Sequence, residues 1–179
     1  FDVFTLVKYG AIFPPLVIEF NEYYRLVTAM FLHGSLIHFL SNSFVLYFLG
    51  SHLERLIGPM KFTILYFVSG IGSSVFVIFL GSENAVTIGA SGAIFGIMGS
   101  LLILTFMRKK WFTQGSIRSL RQLMVINLVL TFAIPNISIP GHLGGLIFGS
   151  GLIFLLTPQK PYFIKLIHHL RQTQIIIDE

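Results

Sequence analysis

Cysteine is absent from the sequence and charge is scarce, and each absence excludes a class of protein. Without cysteine there are no disulfides, no iron–sulfur clusters and no thiolate nucleophiles. Only 11% of the 179 residues are charged, whereas a soluble domain carries about 25%. Hydrophobic residues make up 54% and the mean hydropathy is +0.83, so a water-soluble globule is excluded. The composition indicates a small multi-pass membrane protein.

Five stretches are apolar enough to cross a bilayer as helices, which takes roughly 20 residues each. They cover residues 36–53, 62–80, 91–107, 119–135 and 142–157. The sequence therefore predicts an all-α, helical membrane bundle. We expect residues 1–35 to form an outer interfacial region, residues 36–157 the membrane core, and residues 158–179 a cytoplasmic interfacial tail.

Acidic residues are few, and none lies in the middle of a predicted span. Ionisable groups inside a bilayer are costly and usually functional, so their absence is informative. It argues against an intramembrane aspartyl protease and against proton coupling through carboxylates. The acids are Asp2, Glu19, Glu22, Glu54, Glu83, Asp178 and Glu179.

Lysine and arginine are distributed asymmetrically along the chain. Basic residues near the ends of spans collect on the cytoplasmic side. If the first span runs inward, only Lys8 and Arg25 of the 12 basic residues lie outside. The net charge of +5 is thus a topology signal, and nothing supports nucleic-acid binding. The inner basic residues are Arg55, Lys61, Arg108, Lys109, Lys110, Arg118, Arg121, Lys160, Lys165 and Arg171.

Four polar side chains fall in one layer near the outer ends of the predicted spans. Ser91 opens the third span and His142 opens the fifth, which runs parallel to it. His38 and Asn42 lie one helical turn apart, on one face of the first span. A serine and a histidine at one depth suggest a nucleophile and its base. The third span is only about 26 Å long at 1.5 Å per residue, so we expect Ser91 below the outer surface. There a loop at residues 85–90 would dip inward to a water-filled cavity.

Small residues surround the serine and line two of the spans. Gly89 and Gly92 have no side chain, which would let a peptide carbonyl approach Ser91. The GxxxG stretches at residues 92–96 and 145–149 predict close packing of the third and fifth spans. Phe95 lies one turn below Ser91 on the same helix face, where it is placed to stack on an imidazole.

In order and spacing, these residues resemble the rhomboid family of intramembrane serine proteases, over residues 20–157. Tyr24-Arg25, and Glu54-Arg55 with Gly58, are similar to further elements of that family. The chain has one span fewer than the family core, so the first helix is expected to be missing, and Phe95 stands where the family often has tyrosine. The main matches are His33-Gly34-Ser35-Leu36-Ile37-His38 followed by Asn42, Gly89-Ala90-Ser91-Gly92, and Gly141-His142-Leu143-Gly144-Gly145 with Gly149.

The resemblance implies a role for each polar side chain of this layer. Ser91 would be the nucleophile and His142 the general base of a Ser-His dyad, with His38 and Asn42 stabilising the oxyanion. It also implies no cofactor, and substrates that are single-span membrane proteins with small residues at the cut. We expect the active site to face the outer side of a bacterial cell membrane. The supporting residues are Phe95, Gly89, Gly92 and His33.

Two other functions fit the sequence, a metal site and a non-catalytic binding protein, and one segment is a candidate lid. A metal site could use His33, His38 and His142, but the sequence has no HExxH motif and no nearby carboxylate. A non-catalytic membrane protein that binds other membrane proteins could use the same scaffold. We also predict that residues 135–140, stiffened by two prolines, form a lid over the cavity. No oligomeric state is indicated.

Overall fold

The computed structural model describes residues 2–135, 137–164 and 166–167. In this part of the chain the regular structure is helical, and the one β-type pairing is an isolated bridge between Ile12 and Thr87. The predicted all-α architecture is therefore confirmed. The helices in chain order are α1 (Val3–Lys8), α2 (Pro14–Ile18), α3 (Arg25–Thr28), α4 (Leu36–Val45), α5 (Ser51–Ile57), α6 (Pro59–Leu80), α7 (Ser91–Met107), α8 (Gln114–Ala133) and α9 (Ile139–Leu156).

The N-terminal segment, residues 3–31, contains three short helices, and a buried arginine on α3 bonds to α1 and to the chain between the helices. Arg25 is 4% exposed and donates hydrogen bonds to the carbonyl oxygens of Val7 (2.6 Å) and Ala11 (2.9 Å). It also forms an ion pair with Glu22. These partners compensate the burial of a charge, which is otherwise costly. The segment is thus a folded unit, and its position at the membrane interface stays a prediction.

Within the described part of the chain, three helical stretches are long and apolar enough to cross a membrane. The first combines α4 and α5, which are joined by a π-helical turn at Leu46–Gly50. In addition, α7 is apolar but has only 17 residues, and α8 carries Arg118 and Arg121 in its first half. Each predicted span thus corresponds to a helix, while the number of crossings stays a prediction. The three stretches are Leu36–Ile57, Pro59–Leu80 and Ile139–Leu156.

Only the third predicted span matches its helix at both ends, as Ser91–Met107. The first predicted span continues to Ile57 rather than to residue 53, and the second begins at Pro59 rather than at residue 62. Between them, Gly58 has φ +92°, which ends one helix. Proline at the next position suits the first turn of the following helix because its missing N–H is not needed there.

The fourth and fifth predicted spans also have different bounds in the structure. The fourth is α8, Gln114–Ala133 rather than residues 119–135, because the Thr113 hydroxyl caps its polar first turn. The fifth is α9, Ile139–Leu156 rather than residues 142–157, because Ser138 is its N-cap. Pro140 is tolerated in that first turn. Hydrophobicity places both helix starts too late, because the capping residues are polar and the first turns contain polar residues or proline.

The centre of the bundle consists of α6, α7 and α9, whose backbones come into contact at glycines. A side chain at Gly145 would overlap the carbonyl oxygen of Gly92, and one at Gly149 would overlap that of Gly96. The Ser100 hydroxyl, also on α7, lies 2.9 Å from the carbonyl oxygen of Gly149. The predicted close packing of the two GxxxG stretches is therefore confirmed.

The flanking helices α4 and α8 pack far less closely than this centre. Of the 17 residues of α7, 12 are buried, whereas α4 has no buried residue and α8 has Ile117, Met124 and Thr131. Large apolar side chains such as Phe44 and Phe132 are exposed on them. An apolar exposed face suits contact with lipid, which cannot satisfy polar groups. The candidate site lies between the closely packed centre and these two outer helices.

Candidate active site

Ser91 is the first residue of α7 and follows a loop that is bonded to the N-terminal segment. Two backbone hydrogen bonds join Thr87 to Ile12 (2.9 and 3.0 Å), and the Gly89 N–H donates to the Ala29 carbonyl oxygen (2.9 Å). Gly89 has φ +111°, a conformation that glycine adopts without strain. This turn leaves Ser91 half-buried at the helix start. Its depth in a bilayer stays a prediction.

His142 is buried in the first turns of α9 and is held from two sides. Its ring stacks on Phe95 of α7, with the ring centroids 4.1 Å apart and the planes 18° from parallel. Its Nδ1 lies 2.9 Å from the hydroxyl oxygen of Thr131 on α8. The stacking geometry that the residue spacing predicts is confirmed. The contact with Thr131 is a new finding, because no sequence pattern pointed to that residue.

His38 and Asn42, one turn apart on α4, converge on the turn that precedes Ser91. A Cβ atom at Gly89 would lie 2.8 Å from His38 Nε2 and 3.3 Å from Asn42 Nδ2. Asn42 Nδ2 is buried and has no hydrogen-bond partner among the described residues. A buried donor left unpaired costs about 1–3 kcal/mol. An acceptor supplied by a ligand would relieve that cost, which is what an oxyanion site requires.

One cavity of about 540 Å³ connects these side chains. Ser91 and His142 both line it, although no hydrogen bond joins the two side chains in the described part of the chain. Catalytic hydrogen bonds are often long in ligand-free structures and shorten only when substrate is bound. The lining residues are His38, Ser41, Asn42, Val45, Val86, Thr87, Ile88, Ser91, Ile94, Phe95, Asn127, Ile137, Ser138 and His142.

The absence of a side chain at each glycine beside Ser91 is required by packing, and the approach of a peptide carbonyl past them stays a prediction. The space at Gly89 is occupied by His38 and Asn42, so a side chain there would displace both. A side chain at Gly92 would collide with Ser73 of α6. Each glycine therefore makes room for side chains of the protein itself. The sequence does not reveal which neighbour fills each space.

His33 lies in the loop before α4 and contacts one of the site residues. Its ring meets the ring of His38 edge-to-face at 4.9 Å and that of Phe39 at 5.4 Å. Burial lowers the pKa of His33, opposed in part by an interaction with the Phe31 backbone. The supporting role expected for His33 stays a prediction.

Further sequence predictions around the cavity have mixed outcomes. Ile137 and Ser138, from the predicted lid, do line the cavity. Asn136 lies outside the described residues, and the last two lid positions belong to α9 rather than to a loop. Asn127, for which the sequence suggested no role, also lines the cavity. Within the described ranges, no three His, Asp or Glu side chains come together as metal ligands do.

A family model described as Rhomboid domain matches residues 20–159. The chain belongs to the rhomboid family. The predicted family is thereby confirmed, and so is the expectation of an integral membrane protein with a helical bundle. The match includes the loop before α7, the starts of α7 and α9, and all of α4, so the whole cavity lies within the rhomboid domain.

Proteins similar to this rhomboid domain occur in bacteria and plants. Rhomboid protease GluP of Bacillus subtilis is 37% identical over 146 residues, which are 81% of this chain and 28% of GluP. YdcA of the same organism is 32% identical over 140 residues, 78% of this chain and 70% of YdcA. RHOMBOID-like protein 1 of Arabidopsis thaliana is 34% identical over 163 residues, 89% of this chain and 41% of that protein. The chain thus spans less than half the length of GluP and of this plant relative.

Proposed function

We propose that this rhomboid domain is an intramembrane serine endopeptidase that cuts peptide bonds in or near transmembrane segments. One observation carries the proposal: Ser91, the stacked imidazole of His142 and the unpaired amide of Asn42 share one cavity. Relatives named as rhomboid proteases add support. These groups supply the three functions that acyl transfer needs, namely a nucleophile, a base and an oxyanion donor.

In the first step, His142 Nε2 accepts the proton of the Ser91 hydroxyl as the oxygen attacks the carbonyl carbon of the substrate. A serine hydroxyl is a weak nucleophile until a neighbouring base takes its proton. The same imidazole then protonates the leaving amine, and water hydrolyses the acyl-serine in a second round. Stacking on Phe95 limits rotation of the His142 ring during acylation and deacylation, which keeps Nε2 directed toward Ser91.

The negative oxygen of the tetrahedral intermediate would accept hydrogen bonds from Asn42 Nδ2 and His38. Preorganised donors in a site with little water stabilise such an oxygen more than water does. The unpaired state of Asn42 Nδ2 supports this assignment, because the donor would gain a partner only during the reaction.

Substrates would be single-span membrane proteins that enter sideways, between the loosely packed helices α4 and α8. A peptide bond inside a helix hides its carbonyl carbon, so the substrate must unwind locally before Ser91 can reach it. The distribution of basic residues supports an active site on the outer side of the membrane. No cofactor is needed for this chemistry.

The test combines a fluorophosphonate probe with cleavage of a reporter transmembrane substrate in proteoliposomes. We expect the probe to label the unaltered protein, and we expect Ser91→Ala and His142→Ala to abolish labelling and cleavage. Ser41→Ala is the matched control, because it removes a hydroxyl from the wall of the same cavity. Thermal midpoints in detergent should stay within a few degrees of one another.

Three results would contradict the proposal. Near-normal cleavage by Ser91→Ala or by His142→Ala would remove that residue from the dyad. If the unaltered chain neither reacts with the probe nor cleaves, a non-catalytic protein that binds membrane proteins becomes the better explanation.

A further inference from the structure

Thr131 makes two hydrogen bonds that together determine where a proton of His142 lies. Its side chain is 2% exposed, and its hydroxyl oxygen lies 2.7 Å from the carbonyl oxygen of Asn127 and 2.9 Å from His142 Nδ1. A hydroxyl has one proton to donate. A carbonyl oxygen can only accept, so that proton belongs to the bond with Asn127.

The remaining bond can then form only if His142 Nδ1 is the donor. In a neutral imidazole, one nitrogen carries the proton and the other has the free lone pair. With the proton on Nδ1, the lone pair is on Nε2, which is the nitrogen available to take a proton from Ser91. We propose that Thr131 is a positioning residue that holds His142 in this tautomer. The proposal rests on the proposed function, and it adds a third member to the dyad.

A neutral hydroxyl suits this position better than a carboxylate would. A carboxylate within a span carries a large desolvation cost, and no acid forms a hydrogen bond to His142 among the described residues. Thr131 avoids that cost because its own proton goes to the backbone oxygen one helical turn earlier. The two hydrogen bonds run in series, from Nδ1–H to the hydroxyl and from the hydroxyl to the carbonyl oxygen. Each bond polarises the other and thereby strengthens it.

Kinetics of three threonine variants test this role. Thr131→Val keeps the side-chain shape but removes both hydrogen bonds, and Thr131→Ser keeps them. Thr157→Val is the matched control, because Thr157 makes the same type of bond, to Ile153 (2.6 Å), at the opposite end of α9. We expect Thr131→Val to lower kcat by about tenfold or more, the rate equivalent of one lost hydrogen bond. KM should change little, and Thr131→Ser and Thr157→Val should retain kcat within about twofold of the unaltered protein.

Nitrogen-15 NMR of histidine-labelled protein reads the tautomer without relying on activity. The His142 signals are identified as those missing from the His142→Ala protein. We expect a protonated Nδ1 and an unprotonated Nε2 in the unaltered protein and in Thr131→Ser, and a mixture of tautomers in Thr131→Val. A protonated Nε2 in the unaltered protein would overturn the proposal. So would a Thr131→Val protein with unchanged tautomer and unchanged kcat.

The two proposals can fail separately. The unaltered protein could fail to cleave while its NMR spectrum shows the Nδ1–H tautomer that Thr131→Val loses. In that case the proposed protease function fails, and the role of Thr131 in holding the ring stands. If cleavage depends on Ser91 and His142 but not on Thr131, the positioning role fails alone.

Discussion

Replacing Gly145 by alanine adds one methyl group at the contact between α7 and α9. The new carbon would overlap the carbonyl oxygen of Gly92. Neither atom can move away by a side-chain rotation, since the carbonyl belongs to the backbone. The two helices must therefore separate by roughly 1.5 Å to restore a normal carbon–oxygen distance of about 3.4 Å.

This separation has two consequences of different size. Overpacking of this kind costs about 1–3 kcal/mol, which lowers the thermal midpoint by roughly 2–4 °C per kcal/mol in a protein of this length. Ser91 and His142 lie on the two separating helices, and a displacement of about 1 Å can reduce a rate by about 10²-fold. We expect Gly145→Ala to lose most of its activity while remaining folded at room temperature.

The assay compares Gly145→Ala with Gly151→Ala, a matched control in the same helix. A side chain at Gly151 would meet nothing within 4 Å, so the control should be neutral or gain up to about 1 kcal/mol from helix propensity. Cleavage of a reporter transmembrane substrate in proteoliposomes and the thermal midpoint in detergent are measured for both. Equal rates and equal midpoints in the two variants would refute the view that the backbone contact sets the geometry of the site.

Four further predictions concern the cavity and the routes into it. Asn42→Ala should lower kcat by about 10²-fold or more, as loss of one oxyanion donor does; full activity in this variant would move Asn42 to a structural role. Phe95→Leu should reduce cleavage more than stability, whereas Phe95→Tyr should be tolerated; normal turnover by the leucine variant would show that stacking does not orient the imidazole. Phe132→Ala should preserve or raise cleavage of transmembrane substrates, because it removes an exposed bulky side chain from α8 beside the proposed entry route; a drop greater than the loss of stability explains would contradict entry beside that helix. A cross-link between Ala85 and Ile137, which line one cleft of about 400 Å³, should block large substrates and spare small probes, so a normal rate with a full-length substrate would mean entry elsewhere.

Much of the central packing could be predicted from the sequence because glycine spacing and helix geometry are local properties. The positions of Gly92, Gly96, Gly145 and Gly149 predicted the close contact of α7 and α9. The single-turn spacing of Ser91 and Phe95 predicted which face would carry the stacking ring. In both cases, the regular geometry of a helix means that the spacing between two residues determines whether they lie on the same face.

The contact between Thr131 and His142 could not be predicted in the same way. It depends on how far α8 is rotated about its own axis and on how close it lies to α9, and no residue interval determines either quantity. The beginning of α9 was missed for a different reason. Hydrophobicity places a helix start at the first apolar run, whereas the structure begins the helix at the cap formed by Ser138.

The hydrogen bonds that fix the loop before Ser91 bear on when the site forms during synthesis. Thr87 and Gly89 bond to Ile12 and Ala29, residues that leave the ribosome long before them. Contacts over such a sequence distance form late, because the intervening chain must first be arranged. A nascent chain with only its early helices inserted therefore lacks a positioned Ser91. The position of Ser91 is therefore set only once the first and later segments of the chain have met.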